Sequence, residues 1–293
     1  MKRVLVTGGS KGMGLAFVTK AVAAGHRVVT LQRGSCEVPE VETVSVDLSS
    51  DFTAVREATK EALERLDGEV DWLVLAGGMG AYMGWPNYNP ALHEKMMRVN
   101  YFGPRWVFHA CARALKRTSG EVLCSECAPK WEAFREGVLK LGEDYEAKAR
   151  MLADESPVEC WRCGGLGTTR EITDPRGPSR VLWLGSTVIA PPGASGLEDY
   201  AATKGALLGS VPSLARHYAK WGIRQIELAT SWVDSPMTQA IKDQNPKLYA
   251  KIVGFTPLKR MGTCEEAAQA MMFLLEGPEY FHGCRVVMSG GAN

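Results

Sequence analysis

The sequence predicts an α/β fold, a doubly wound parallel sheet of about seven strands carrying a small zinc-binding insertion. Three observations carry that prediction. Short apolar runs alternate with segments of helical periodicity, the pattern of a parallel sheet covered on both faces by crossover helices. A glycine-rich turn follows the first apolar run. The alternation stops near residue 119 and resumes near 180, and the gap holds two C-x-x-C pairs.

In order, KRVLVT at 2–7 is a buried strand, followed by a helical run over 13–25. VVTL at 28–31 and VETVSV at 41–46 are two more strands. Residues 51–66 are apolar at helical spacing, with Ser50 or Asp51 as N-cap. DWLVLA at 71–76 is a strand, and 91–117 is helical in character. Beyond the gap come RVLWLGS at 180–186, a helix near 199–221, IRQIELA at 223–229, a helix near 264–276 and CRVVM at 284–288. Residues 1–118 and 180–293 therefore form one domain, and 119–179 an insertion. Within it, Val122-Leu123 and residues 170–173 are candidates to pair as short strands around a helical run at 131–152.

Of the 293 residues, 45% are hydrophobic and 23% charged, enough apolar material for a real core. Lys+Arg 34 against Asp+Glu 33 leaves a net charge of +1, which argues against a nucleic-acid partner. No apolar run approaches the roughly 18 residues that span a bilayer. The apolar run after Met1-Lys2-Arg3 is too short for a secretory leader. A cytoplasmic location is expected, where the eight cysteines stay reduced.

Thr7-Gly8-Gly9-Ser10-Lys11-Gly12-Met13-Gly14 stands where the first strand hands over to the first helix. Glycine there allows positive φ, close approach to a phosphate and tight helix–strand packing, and the helix N-terminus presents free N–H groups to an anion. The second strand ends in Leu31-Gln32-Arg33, with no carboxylate to meet a ribose 2′-hydroxyl. Arg33 and Lys11 instead suit a 2′-phosphate, which favours NADP(H). Glu37 is the rival acidic residue.

Tyr200 and Lys204 stand four residues apart and share one helical face. A nearby ammonium stabilises the phenolate and brings a tyrosine toward useful acid–base chemistry. Ser186 ends a strand fourteen positions before Tyr200, and Asn100 lies in the helical stretch upstream.

TGGSKGMG at 7–14, Asp47-Leu48, Asn100, Ser186, YAATK at 200–204 and WVDSPMT at 232–238, in this order, resemble the short-chain dehydrogenase/reductase family with its Rossmann-type fold. The resemblance covers nearly the whole chain outside 119–179. It implies Tyr200 as proton donor or acceptor, Lys204 on the nicotinamide ribose, Ser186 as donor to the developing alkoxide and Asn100 as the post of a water relay. Thr187 is the alternative hydroxyl. It further implies cofactor contacts from Thr7, Gly8, Ser10, Lys11, Gly12, Met13 and Gly14, and from Arg33. Asp47 would meet the adenine amino group, beside Leu48. Ala76 and Gly77, then Val233 and Ser235, complete the set with Asn100, Tyr200 and Lys204. The family's Asn-Ala-Gly after strand four reads Ala76-Gly77-Gly78, and its Pro-Gly after strand six reads Thr230-Ser231.

Cys124, Cys127, Cys160 and Cys163 form two C-x-x-C knuckles separated by 32 residues. Four thiolates fill a tetrahedral sphere, so the expected metal is a structural zinc; a redox dithiol pair is the alternative. The run CWRCGGLG at 160–167 resembles a chaperone-type zinc knuckle. Cys36, Cys111, Cys264 and Cys284 lack ligand spacing and read as small buried hydrophobes.

The expected activity is hydride transfer between NADP(H) and a carbonyl or alcohol substrate, a ketoreductase acting on an apolar or polycyclic biosynthetic intermediate. Met83, Trp85, Pro191, Pro192, Trp232 and Met237 supply the apolar loops. A homo-oligomer and a carrier-protein contact through the insertion are expected partners; nucleic acid and membrane are not. The alternative is a non-catalytic dinucleotide-binding scaffold whose zinc module recruits partners.

Overall fold

Near-continuous apolar runs rich in Val and Leu build strands buried on both faces, and crossover helices cover them. The computed structural model describes residues 1–81, 88–123, 168–190 and 196–292. In chain order its elements open with β1 (Arg3–Thr7), α1 (Gly12–Ala23), β2 (Arg27–Gln32), β3 (Glu42–Ser45), α2 (Phe52–Glu64) and β4 (Trp72–Leu75). Then come α3 (Pro90–Met97), a π-helical turn (Arg98–Phe102), α4 (Gly103–Leu115), β5 (Ser119–Leu123), β6 (Thr168–Ile172) and β7 (Ser179–Ser186). The last elements are α5 (Glu198–Tyr218), β8 (Ile223–Thr230), β9 (Val233–Asp234), α6 (Pro236–Gln244), α7 (Pro246–Phe255), β10 (Gly262–Thr263), α8 (Cys264–Glu276) and β11 (Cys284–Met288).

Seven strands pair in the order β11-β8-β7-β4-β1-β2-β3, and every pairing is parallel. This is the Rossmann-type arrangement. The winding reverses between β1 and β4, so a ligand crevice opens at the C-terminal ends of those strands. On one face Leu5, Leu31, Leu73, Val181 and Trp183 pack against α2, α4 and α5. On the other, Val4, Val6, Val74, Leu182 and Leu228 pack against α1 and α8. The indole of Trp183 donates to Gln225 Oε1 at 2.7 Å, which satisfies its one polar atom inside the core.

Asp51 caps α2, accepting from Ala54 N. The helical character expected over 91–117 is realised as two helices joined by the π-helical turn. Such turns collect at functional sites, and this one carries Asn100. Helices α6 and α7, each with proline in its first turn, and the short β9–β10 pair were not legible as periodic segments.

The chain divides into two units, 1–116 with 178–293, and 117–177. In the second, β5 and β6 pair antiparallel, with Val122 opposite Thr169 and Leu123 opposite Thr168. The strands therefore start earlier than residues 170–173 suggest. Below them, Asp174 takes hydrogen bonds from Arg176 N, Nε and Nη2 at 3.0, 2.8 and 2.7 Å. That clamp holds the Asp174 carboxyl far below the usual carboxylate range. Cys124, Cys127, Cys160, Cys163 and the run at 131–152 lie outside the described residues. Among the described residues no group of His, Cys, Asp and Glu could hold a metal, and no helix is long and apolar enough to cross a membrane.

Candidate active site

The glycine turn is a cradle that side chains would fill. Gly8 sits at φ +74° and Gly12 at φ +61°, backbone that favours glycine. A Cβ on Gly14 would overlap the Gly8 carbonyl oxygen, and one on Gly8 would lie 2.6 Å from Gly77 Cα. The Gly8 amide donates to Leu31 O at 3.1 Å, bending the chain off β1. Lys11, in extended backbone, precedes α1 without capping it, so the first amides of the helix meet no side-chain acceptor. A phosphate is the partner such a terminus fits. Ser10 and Met13 flank it, and Ser235 Cβ lies 3.8 Å from where a Gly12 Cβ would stand. Val233, two residues earlier, is buried. Thr7 Oγ1 accepts from Gly77 N at 3.1 Å, tying β1 to the loop after β4 beside Ala76.

One residue here escaped the sequence reading. Gln32 is buried at the end of β2, and neither its amide oxygen nor its amide nitrogen has a hydrogen-bond partner. Its Oε1 lies 3.4 Å from where a Gly9 Cβ would stand. An orphaned amide beside an open glycine cradle fits a polar cofactor group, so the residues present suit a dinucleotide. The signal was available: a glutamine closing β2 directly after Leu31. Next to it Arg33 is 70% exposed, and its Nη1 stands 4.0 Å from Asp47 Oδ2. Burial pushes the Asp47 carboxyl up, but hydrogen bonds from Ser49 N and Oγ, with Arg33 nearby, hold it below the ordinary value. Leu48 packs beneath Gly77.

Across the crevice, the four residues Asn100, Ser186, Tyr200 and Lys204 converge. Tyr200 faces Ser186; burial pushes its phenol up and the Ser186 hydroxyl beside it pulls it partly back. Lys204 Nζ donates to Leu184 O at 2.8 Å and stands 5.9 Å from the Tyr200 ring centre. Burial pushes the Lys204 ammonium down to about 8. Ser186 Oγ also accepts from Val188 N at 3.2 Å, and the buried Thr187 opens the following turn. The hydroxyl that meets Tyr200 is that of Ser186.

Asn100 works as a latch. It accepts from Met79 N at 2.8 Å and donates to Met79 O at 2.8 Å and Thr203 Oγ1 at 2.9 Å. It thus joins the loop after β4 to α5, the helix that carries Tyr200 and Lys204. The loop must be bare for these groups to close. A Cβ on Gly78 would stand 3.4 Å from Asn100 Oδ1 and 3.8 Å from Lys204 Nζ, and one on Gly80 would stand 3.7 Å from the Tyr200 ring. Met237 Sδ borders Gly80, while Met83, Trp85, Pro191 and Pro192 lie outside the described residues.

The expectation for the remaining cysteines needs correction. Cys111 alone is fully buried, and burial raises its thiol. Cys36, Cys264 and Cys284 are half-buried at element edges, where Cys36 and Cys264 donate to the Gly9 and Asp234 carbonyls. A thiol finds an acceptor there more readily than a dry core.

The sheet, the cradle and the hydroxyl–phenol–ammonium set define a dinucleotide-binding oxidoreductase of the Rossmann type. Two family profiles match: "short chain dehydrogenase" over residues 2–125 and "Enoyl-(Acyl carrier protein) reductase" over 176–293. The chain belongs to the short-chain dehydrogenase/reductase family, and it is an oxidoreductase. It is 25% identical over 291 residues to the 3-oxoacyl-[acyl-carrier-protein] reductase MabA of Mycobacterium tuberculosis, covering 99% of this chain and 92% of that one. Two solved structures share the fold. BdcA in complex with NADPH has a TM-score of 0.69 at 21% identity, covering 99% of this chain and 93% of BdcA. The 3-ketoacyl-(acyl-carrier-protein) reductase of Brucella melitensis complexed with NADH has a TM-score of 0.69 at 20% identity, covering 99% and 98%.

Proposed function

We propose that the protein is a ketoreductase that uses NADP(H) to interconvert a carbonyl and an alcohol on an apolar substrate, with 3-oxoacyl thioesters as the first class to test. The observation that carries this reading is the Tyr200 phenol set against Ser186, with the buried Lys204 ammonium 5.9 Å from its ring centre. The substrate class draws on the reductase names of MabA and the Brucella protein.

When bound, the nicotinamide supplies or receives the hydride. The chain's own residues handle the oxygen and the proton. Ser186 donates a hydrogen bond to the substrate oxygen as negative charge grows on it. Tyr200 gives its proton to that oxygen, a step worth about 10²–10⁴-fold in rate for a well-placed acid. Lys204 stabilises the phenolate that remains. Asn100 keeps the loop and α5 in register, and a water relay would start there.

Toward the cofactor, the amides at Gly12–Gly14 hold the pyrophosphate and Gln32 meets the ribose. Arg33 and Lys11 favour a 2′-phosphate over a bare hydroxyl. Asp47 and Leu48 serve the adenine, and Val233 and Ser235 the nicotinamide end.

The zinc reading stays with Cys124, Cys127, Cys160 and Cys163 on the strength of their spacing, and it takes about one zinc per chain in elemental analysis. A homo-oligomer and a carrier-protein contact through the insertion belong to the same reading; a cytoplasmic location completes it.

The test is loss of NADPH absorbance with acetoacetyl thioesters and a panel of bulkier ketones. Turnover that prefers NADPH over NADH supports the reading. Tight NADPH binding with no turnover across the panel would replace the reductase by a dinucleotide-binding scaffold.

A further inference from the structure

Three consecutive residues at the C-terminal end of β7 each meet one charged side chain. Leu184 O accepts from Lys204 Nζ. A Cβ on Gly185 would overlap Glu227 Oε1, so the Glu227 carboxylate occupies the place of a side chain there. Ser186 O accepts from Arg285 Nη2 at 2.7 Å. Register explains the gathering. Glu227 on β8 lies opposite Trp183 of β7 and opposite Arg285 of β11. A parallel sheet sends these side chains to one face, the face covered by α5.

Glu227 is 1% exposed and Lys204 5%. Arg285 Nε stands 3.5 Å from Glu227 Oε1, an ion pair too long to be a hydrogen bond, and neither atom has another hydrogen-bond partner. A dry carboxylate short of hydrogen bonds is expensive to maintain, and the sheet would pack as well around an apolar residue of that size. The electrostatics give it a task. Burial pushes the Glu227 carboxyl up, while Arg285 and Lys204 pull it down; Glu227 in turn raises Lys204 against its own burial.

We infer that Glu227, steadied by Arg285, is the buried counter-ion that keeps Lys204 charged, and so a positioning residue for the Tyr200–Lys204 pair. The inference rests on the acid–base reading of that pair. A lysine stripped of water sheds its proton readily, and a neutral amine cannot stabilise a phenolate. Among the described residues, the other elements around Lys204 offer no substitute. The loop after β4 and the π-helical turn face it with Gly78 and Asn100, both uncharged, and α5 with Tyr200. Asp199, next to Tyr200, is engaged by His93 of α3 at 2.6 Å. Arg285 also anchors the Ser186 carbonyl, so one side chain serves both the counter-ion and the strand end that presents the hydroxyl.

The test titrates Lys204 directly, in whole protein without substrate or cofactor. Protein is labelled at lysine ¹³Cε, and the Lys204 signal is assigned by its loss in Lys204→Arg. In Glu227→Gln the Lys204 midpoint falls by about one pH unit or more, a tenfold loss of proton affinity. In Arg285→Met it falls too, by less, because Glu227 loses the cation that helps keep it ionised. A falling midpoint in both folded variants supports the inference; a merely structural role moves neither midpoint. An unmoved midpoint in folded Glu227→Gln overturns it. Should that variant fail to fold, Arg285→Met decides, and an unmoved or rising midpoint there overturns it. The titration needs no turnover. A failed counter-ion therefore leaves the Tyr200 reading standing, and a failed Tyr200 reading leaves the counter-ion standing.

Discussion

The two sides of the crevice are made in opposite ways. The β1–β2 side is built by leaving side chains out: Gly8, Gly12 and Gly14 keep room that side chains would fill, and the charged residues nearest them, Lys11 and Arg33, stay in water. The β7–β8 side is built by burying charge: Lys204 and Glu227 sit inside the sheet–helix seam with Arg285 behind them. Binding a pyrophosphate needs a cavity and a helix terminus. Moving a proton needs a phenol whose neighbours hold a fixed charge in a low dielectric, where each charge acts strongly. The first design fails when atoms are added, the second when charges are removed.

That contrast can be broken from either side. The largest effect on the cradle comes from Gly14→Ala, whose methyl would collide with the Gly8 carbonyl. Overpacking of this kind costs about 1–3 kcal/mol in stability. Calorimetric titration should find NADPH binding lost, while Tyr200 and Ser186 stay in place. Retained binding would mean the turn relaxes and the cradle is not close-fitted.

A smaller effect comes from Arg33→Asp. An exposed cation reading a 2′-phosphate contributes about tenfold or somewhat more in preference. The variant should narrow or reverse the NADPH:NADH ratio of dissociation constants, and an unchanged ratio would pass the phosphate to Lys11.

The smallest effect serves as the exposed counterpart of Glu227. Glu266 closes the capping box of α8, bonded by Arg260 and by Thr263 N. The Arg260 hydrogen bonds, then the Thr263 amide, hold its carboxyl down at about 2. A depressed carboxyl stabilises the fold above its unfolded value of 4.5 and loses that contribution as pH falls toward 2. Glu266→Gln should therefore lower Tm at pH 7 by no more than about 2 °C, since exposed pairs are weak, and by less near pH 2. A loss several times larger would erase the distinction between buried and exposed charge.

The same contrast explains what was legible beforehand. Strands and the glycine turn follow from local patterns, so β1, β2, β4, β7, β8 and β11 and the cradle could be placed from residue order alone. Tyr200 and Lys204 share one helix and were equally readable. Glu227 was not, because its partners come from α5 and β11, and only strand register brings them together. Gln32 was missed for a similar reason: an orphaned amide exists only once burial is known. The break between α3 and α4 was hidden because a π-helical turn keeps helical periodicity nearly intact while turning Asn100 inward.

The central claim is that the Tyr200 hydroxyl moves a proton beside the cofactor, and Tyr200→Phe tests it most directly. Turnover and NADPH affinity should be measured on the same preparation. The account predicts turnover reduced by about 10²–10⁴-fold with the dissociation constant for NADPH nearly unchanged. Turnover equal to that of the unaltered chain would contradict it.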